Sequence, residues 1–131
     1  MTDRRPDRVY GVLVREGTVF LRSSAGEAGL PGGVFRPMAE DRKVELRAHL
    51  RDQLGIDATN VWAQGGFDYT APGENRPYFS GFYSVWAWEG DIPAHAGTWV
   101  TREALPGVAG LPGPLRILLL SVLDTVAMRT T

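Results

Sequence analysis

The stretch GLPGGVFRPMAEDRKVELRAHLRDQLGI, residues 29–56, carries the pattern that decides the fold. It opens on the turn Pro31-Gly32-Gly33, continues through a short strand at Val34-Phe35, and closes on Leu54-Gly55-Ile56. Between these ends Leu46, Leu50 and Leu54 recur every four residues, which puts them on one face of a helix. Asp41 stands at the helix start, where a short carboxylate can accept hydrogen bonds from the first backbone N–H groups. Gly55 supplies the left-handed conformation that ends helices. The result is a helix with one apolar stripe and one polar face, the latter carrying His49, Asp52 and Gln53.

Working outward, Val9 to Val14 is apolar, Glu16-Gly17 is a turn signal and Thr18 to Leu21 favours β structure, so this region reads as a hairpin. The segment Ser23 to Leu30 reads as a loop leading into the glycine turn. Downstream, Val61 to Thr70 and Tyr78 to Trp88 are rich in aromatic and β-branched residues and are joined by the turn formers Ala71-Pro72-Gly73-Glu74-Asn75. They are expected to pair as long antiparallel strands. Thr98-Trp99-Val100-Thr101 is a further short strand, and Pro114 suits the first turn of a last helix with the stripe Leu115, Leu118, Leu119, Val122, Leu123 and Val126. Mostly β elements with one central and one terminal helix imply a mixed sheet flanked by helices. Residues 1–131 are read as a single domain, with residues 1–7 polar and flexible.

Residues 29–56 resemble the Nudix box, whose pattern is G-x5-E-x7-R-E-U-x-E-E-x-G-U with U a bulky aliphatic residue. The order of the other elements is similar to that family over nearly the whole chain, including the Trp99-Val100 strand followed by Glu103-Ala104-Leu105-Pro106. The resemblance implies an α/β fold: a Nudix-type α/β/α sandwich with a mixed β-sheet, a central Nudix-box helix and a C-terminal helix. The spacing here is one residue longer than the pattern. Counting from Gly33 puts Arg47 on the motif arginine but leaves Ala39 and Leu54 on the first glutamate and the closing glycine. Placing the extra residue after Gly33 aligns Glu40, Leu50, Gly55 and Ile56 and keeps the leucine stripe on the sheet, so this register is preferred. Ala48 then falls on the motif arginine, His49 on the glutamate beside it, and Asp52 and Gln53 on the paired glutamates.

In that family the helix glutamates hold magnesium or manganese, which binds a diphosphate and activates water. The resemblance therefore implies Glu40, His49 and Asp52 as catalytic candidates, Asp52, His49 and Gln53 as metal ligands, and Mg²⁺ or Mn²⁺ as cofactor. Residues 49, 52 and 53 share a helix face. Three formal charges have nevertheless become one, and hard divalent ions prefer carboxylate oxygens, so metal binding is expected to weaken. Glu45, one turn before His49, together with Asp91 and His95, could rebuild such a site or could be ordinary polar surface. Gly32 and Gly33 either let a phosphate approach the backbone or serve only the turn. Arg22 and Arg36 flank it and can hold phosphate oxygens bidentately, or they are strand-end charges. Trp62, Phe67, Tyr69, Tyr78, Phe82, Trp86 and Trp88 offer stacking surfaces or core.

The 131-residue chain has a formal net charge of −1, 44% hydrophobic and 22% charged residues, one lysine and no cysteine. This balance suits one folded domain and argues against a nucleic-acid partner, since no basic tract is present. Absence of cysteine excludes disulfides and thiolate metal sites. No signal-like or membrane-length apolar run occurs, so a cytoplasmic location without membrane contact is expected. Two functional expectations follow: a hydrolase acting on a nucleoside diphosphate derivative with weakened metal-dependent activity, or a catalytically impaired module that binds a nucleotide, a phosphate or a protein. Ile117 and Leu120 lie off the main stripe of the last helix, which would suit a homodimer.

Overall fold

The first strand is apolar at every position from Val9 to Val14 because it is buried on both faces. Such continuous runs mark central strands, whereas strands covered on one face alternate. In the computed structural model, which describes residues 5–24 and 27–130, this strand is β1 (Arg8–Arg15). It is followed by β2 (Thr18–Ser24), β3 (Glu27–Gly29), β4 (Gly32–Val34), α1 (Arg42–Leu54), β5 (Asp57–Tyr69), β6 (Tyr78–Glu89), β7 (Thr98–Thr101) and α2 (Gly113–Thr130). Single turns of 3-10 helix occur at Ala94–Ala96 and Leu105–Gly107.

The strands form one mixed sheet with the order β3-β2-β1-β6-β5; β4 pairs with β1, and β7 pairs with β2. The β1–β6 pair is parallel, from Arg8 opposite Ser80 to Leu13 opposite Val85, and the others are antiparallel. Two cores lie on its two faces. Val9, Leu13, Phe20 and Phe35 pack with Leu46, Leu50 and Leu54 of α1. Tyr10, Val12, Val14 and Leu21 pack with Leu115, Leu119, Val122 and Leu123 of α2. This is the α/β/α sandwich expected from the sequence.

Helix α1 begins where the sequence indicated. Asp41 Oδ1 accepts from the backbone N–H groups of Lys43 at 2.9 Å and Val44 at 3.2 Å, and Gly55 closes the helix at φ 71°. The hairpin and the long antiparallel pair are also present. Differences occur where local pattern is weak. The expected loop Ser23 to Leu30 contains β3, whose ladder with β2 includes Arg22 opposite Gly29. Strand β4 starts at Gly32 rather than Val34, and β5 starts at Asp57 rather than Val61. Leu120 packs partly against the core, while Ile117 is exposed. The side chain of Val126 and residues 1–4 lie outside what is described. Within the stretch expected to be flexible, Arg5 donates to the carbonyls of Arg36 at 2.6 Å and Ala39 at 3.0 Å, and Asp7 N–H donates to Phe79 C=O at 2.8 Å. Among the described residues no helix is long and apolar enough to cross a membrane.

Leu50 is fully buried at the centre of the α1 stripe, so Leu50→Ala is expected to lower unfolding free energy by about 2–5 kcal/mol in a urea titration. Val44, 60% exposed on the same helix, should tolerate alanine within about 0.5 kcal/mol.

Candidate functional site

The polar face of α1 meets the glycine turn through three side chains spaced one turn apart. Gln53, at the helix end, lies against Gly32: its Oε1 accepts from Gly32 N–H at 3.0 Å and its Nε2 donates to Gly32 C=O at 2.8 Å. The same Oε1 accepts from Arg22 Nη1 at 2.8 Å. One turn earlier, His49 Nε2 lies 2.8 Å from Val34 C=O; because a carbonyl only accepts, Nε2 carries the proton. A further turn back, the buried Glu45 accepts on Oε2 from Arg36 N–H at 3.0 Å and Arg36 Nε at 2.9 Å. The bond from the Arg36 side chain, with its backbone bond, holds the Glu45 carboxyl below the ordinary carboxylate range.

Glycine is required at position 32, and position 33 is closely packed. Gly32 has φ 143°, and a Cβ there would collide with the carbonyl oxygen of Val9 and stand 2.8 Å from Tyr10 Cα. A Cβ on Gly33 would come within 3.2 Å of His49 Cε1. The turn thus lies tight against β1 on one side and α1 on the other.

Beside it, a concavity of about 220 Å³ is lined by Arg8, Tyr10, Arg22, Gly32, Pro72 and Glu74, among others. Arg8 and Glu74 were not singled out from the sequence; they stand 66 positions apart and meet only through the β5–β6 connection. The one available signal was the turn sequence Ala71-Pro72-Gly73-Glu74. Tyr10 is buried, its hydroxyl pushed up to about 12 chiefly by desolvation, so at neutral pH it remains a protonated donor.

The sequence candidates divide accordingly. Arg22, Gly32 and Gln53 come together, His49 joins them at Val34, and Arg36 is engaged with Glu45. Glu40 is exposed before the helix, and Asp52 is exposed on it. Arg47 donates from Nε to Ala58 C=O at 2.6 Å, fastening α1 to β5. His95 and Asp91 are exposed. Among the described residues, no three His, Asp or Glu side chains converge as a group able to hold a metal ion. The donor set does not fit a magnesium-type centre: Asp52 is one carboxylate, while Gln53, His49 and Glu45 point their polar atoms at the glycine loop.

An α/β/α sandwich with a glycine turn packed on the polar face of its central helix defines the Nudix fold, and this chain has it. The likeness is direct in solved structures. A MutT Nudix hydrolase from Burkholderia pseudomallei superposes with a TM-score of 0.71 at 22% identity, covering 86% of this chain and 93% of that one. A MutT structure from Aliivibrio salmonicida or Vibrio cholerae gives 0.72 at 20% identity, over 89% and 97%. A UDP-X diphosphatase gives 0.70 at 14% identity, over 95% of this chain and 66% of that one. The sequence itself matches no family model and no curated protein.

A glutamate at position 53 could not donate to Gly32 C=O and would set a charge against it. Gln53→Glu is therefore expected to lower stability by about 1–3 kcal/mol, read as a drop in denaturation midpoint. The Glu45–Arg36 tie should show in pH dependence. A depressed carboxyl contributes stability that is present above the unfolded-state value and lost as pH falls through the folded-state value. Thermal melts of wild type and Glu45→Gln should differ at neutral pH and converge as pH drops below the ordinary glutamate value of 4.5.

Proposed function

We propose that this chain is a Nudix-fold binding module for a small phosphate-bearing ligand of the nucleoside diphosphate class. The ligand is held without a divalent ion, in the concavity between the glycine turn and the β5–β6 connection. The observation that carries this reading is the engagement of Gln53. The position that holds an ion in the resembled family is occupied by a neutral amide already bonded to Gly32 and to Arg22.

The cation at this position is then a guanidinium. Arg22 spends an Nη1 bond on Gln53, and its planar fork of five donors can serve phosphate oxygens as well. Arg8 supplies a second guanidinium in the same lining, beside the Tyr10 side chain. Such convergent donors around a partly apolar hollow suit a phosphate group attached to a larger organic body. A nucleoside diphosphate derivative is also the ligand class suggested by the diphosphatase among the fold neighbours.

Calorimetry with a panel of nucleotide sugars, dinucleotides and nucleoside triphosphates tests this. Binding of at least one is expected in the presence of chelator, weakened about tenfold or more in Arg22→Gln. Release of phosphate that requires Mg²⁺ or Mn²⁺ and collapses in Asp52→Ala would instead establish hydrolysis through Glu40, His49 and Asp52.

A further inference from the structure

We infer that Glu74, on the β5–β6 turn that walls this pocket, is its latch: an internal carboxylate occupying Arg8 until an anionic ligand displaces it. The inference rests on the binding reading above and names the residue that sets how strongly an anion must compete.

The turn is built to hold one shape. Glu74 N–H donates to Ala71 C=O at 2.9 Å, Pro72 stands at the second position, and Gly73 at the third has φ 87°. That is a type II turn, in which proline presets the first central residue and glycine takes the left-handed one. The turn therefore presents Glu74 at a fixed place rather than on a floppy strand connection. Two contacts hold it down. Pro72 lies so close to Gly29 that a Cβ on Gly29 would stand 2.9 Å from Pro72 Cγ. Glu74 Oε1 stands 3.5 Å from both Nε and Nη2 of Arg8.

That ion pair is long. Charge-assisted bonds between guanidinium and carboxylate settle at about 2.7–2.9 Å when both groups are free to adjust. Here Arg8 is held from other sides: its guanidinium lies 3.8 Å above the Tyr78 ring, and Nη1 donates to Asp7 C=O at 3.2 Å. The fork is thus oriented by its own surroundings, and Glu74 meets it imperfectly. A diphosphate, with more acceptor oxygens and more charge than one carboxylate, gains more at Arg8 than Glu74 loses. The charge balance favours exchange, because the pocket lining contains Arg8 and Arg22 against the single carboxylate of Glu74.

Inorganic pyrophosphate, titrated calorimetrically in chelator, tests the latch. Glu74→Gln keeps the shape of the side chain and removes its charge; it is expected to bind about two- to fivefold more tightly than wild type. Glu103→Gln makes the same change of net charge at an exposed glutamate that does not line the pocket, and should keep the wild-type affinity. Thermal melts confirm that each variant folds. Wild-type affinity in Glu74→Gln, or equal tightening in Glu103→Gln, overturns the latch while leaving the binding reading intact. No pyrophosphate binding by wild type or by Glu74→Gln overturns the latch, and failure of the whole nucleotide panel as well overturns the binding reading beneath it.

Discussion

The side-chain amide of Gln53 closes on both backbone groups of Gly32, and the rest of the site depends on that pair. A planar amide facing a peptide offers a donor and an acceptor at once, so a single neutral residue satisfies two buried-side backbone groups. The contact is possible only because residue 32 has no Cβ and can lie against Val9 and Tyr10. It fixes the end of α1 to the start of β4, and through the β4–β1 ladder to the central strand. It also orients Arg22, whose guanidinium reaches the same amide oxygen from β2. The pocket beside the turn inherits its shape from these three anchored elements.

His49 and Glu45 repeat the arrangement toward the helix start, each tying α1 to a later residue of the loop. In a metal-binding version of this face, an ion would neutralise several carboxylates and its ligation would organise the loop. Here direct hydrogen bonds organise it. Glu45 is the one carboxylate among the three, and a carboxylate that well buried requires a partner, which Arg36 supplies twice. A face stitched in this way has little repulsion for a cation to relieve.

The helix, its caps and the two long strands were legible because each rests on local rules: leucine periodicity, an Asp cap, a terminal glycine and aromatic runs broken by turn formers. Strand β3 was not, since Glu27-Ala28-Gly29 has no β preference and exists through its pairing with β2. The start of β5 was hidden for a related reason. An edge strand needs few apolar residues, and Asp57, Thr59 and Asn60 read as loop. Within the site, the convergence of residues 49 and 53 on one helix face was readable from spacing. What they converge on was not, because their partners are backbone groups of the loop. Arg8 and Glu74 required the full sheet topology to meet.

The connection between the glycine turn and the helix runs between two fixed points. Two anchors leave no slack: Gly32 is locked under Gln53, and Leu46, Leu50 and Leu54 are buried against the sheet. The chain between them leaves the layer as a turn. It does so in the turn Arg36-Pro37-Met38-Ala39, closed by Ala39 N–H on Arg36 C=O at 3.0 Å and braced from below by Arg5 on both carbonyls. Met38 at its tip is 91% exposed, so the turn projects into solvent. Glu40, the next residue after that turn, is exposed as well, whereas Glu45, His49 and Gln53 are engaged with the loop.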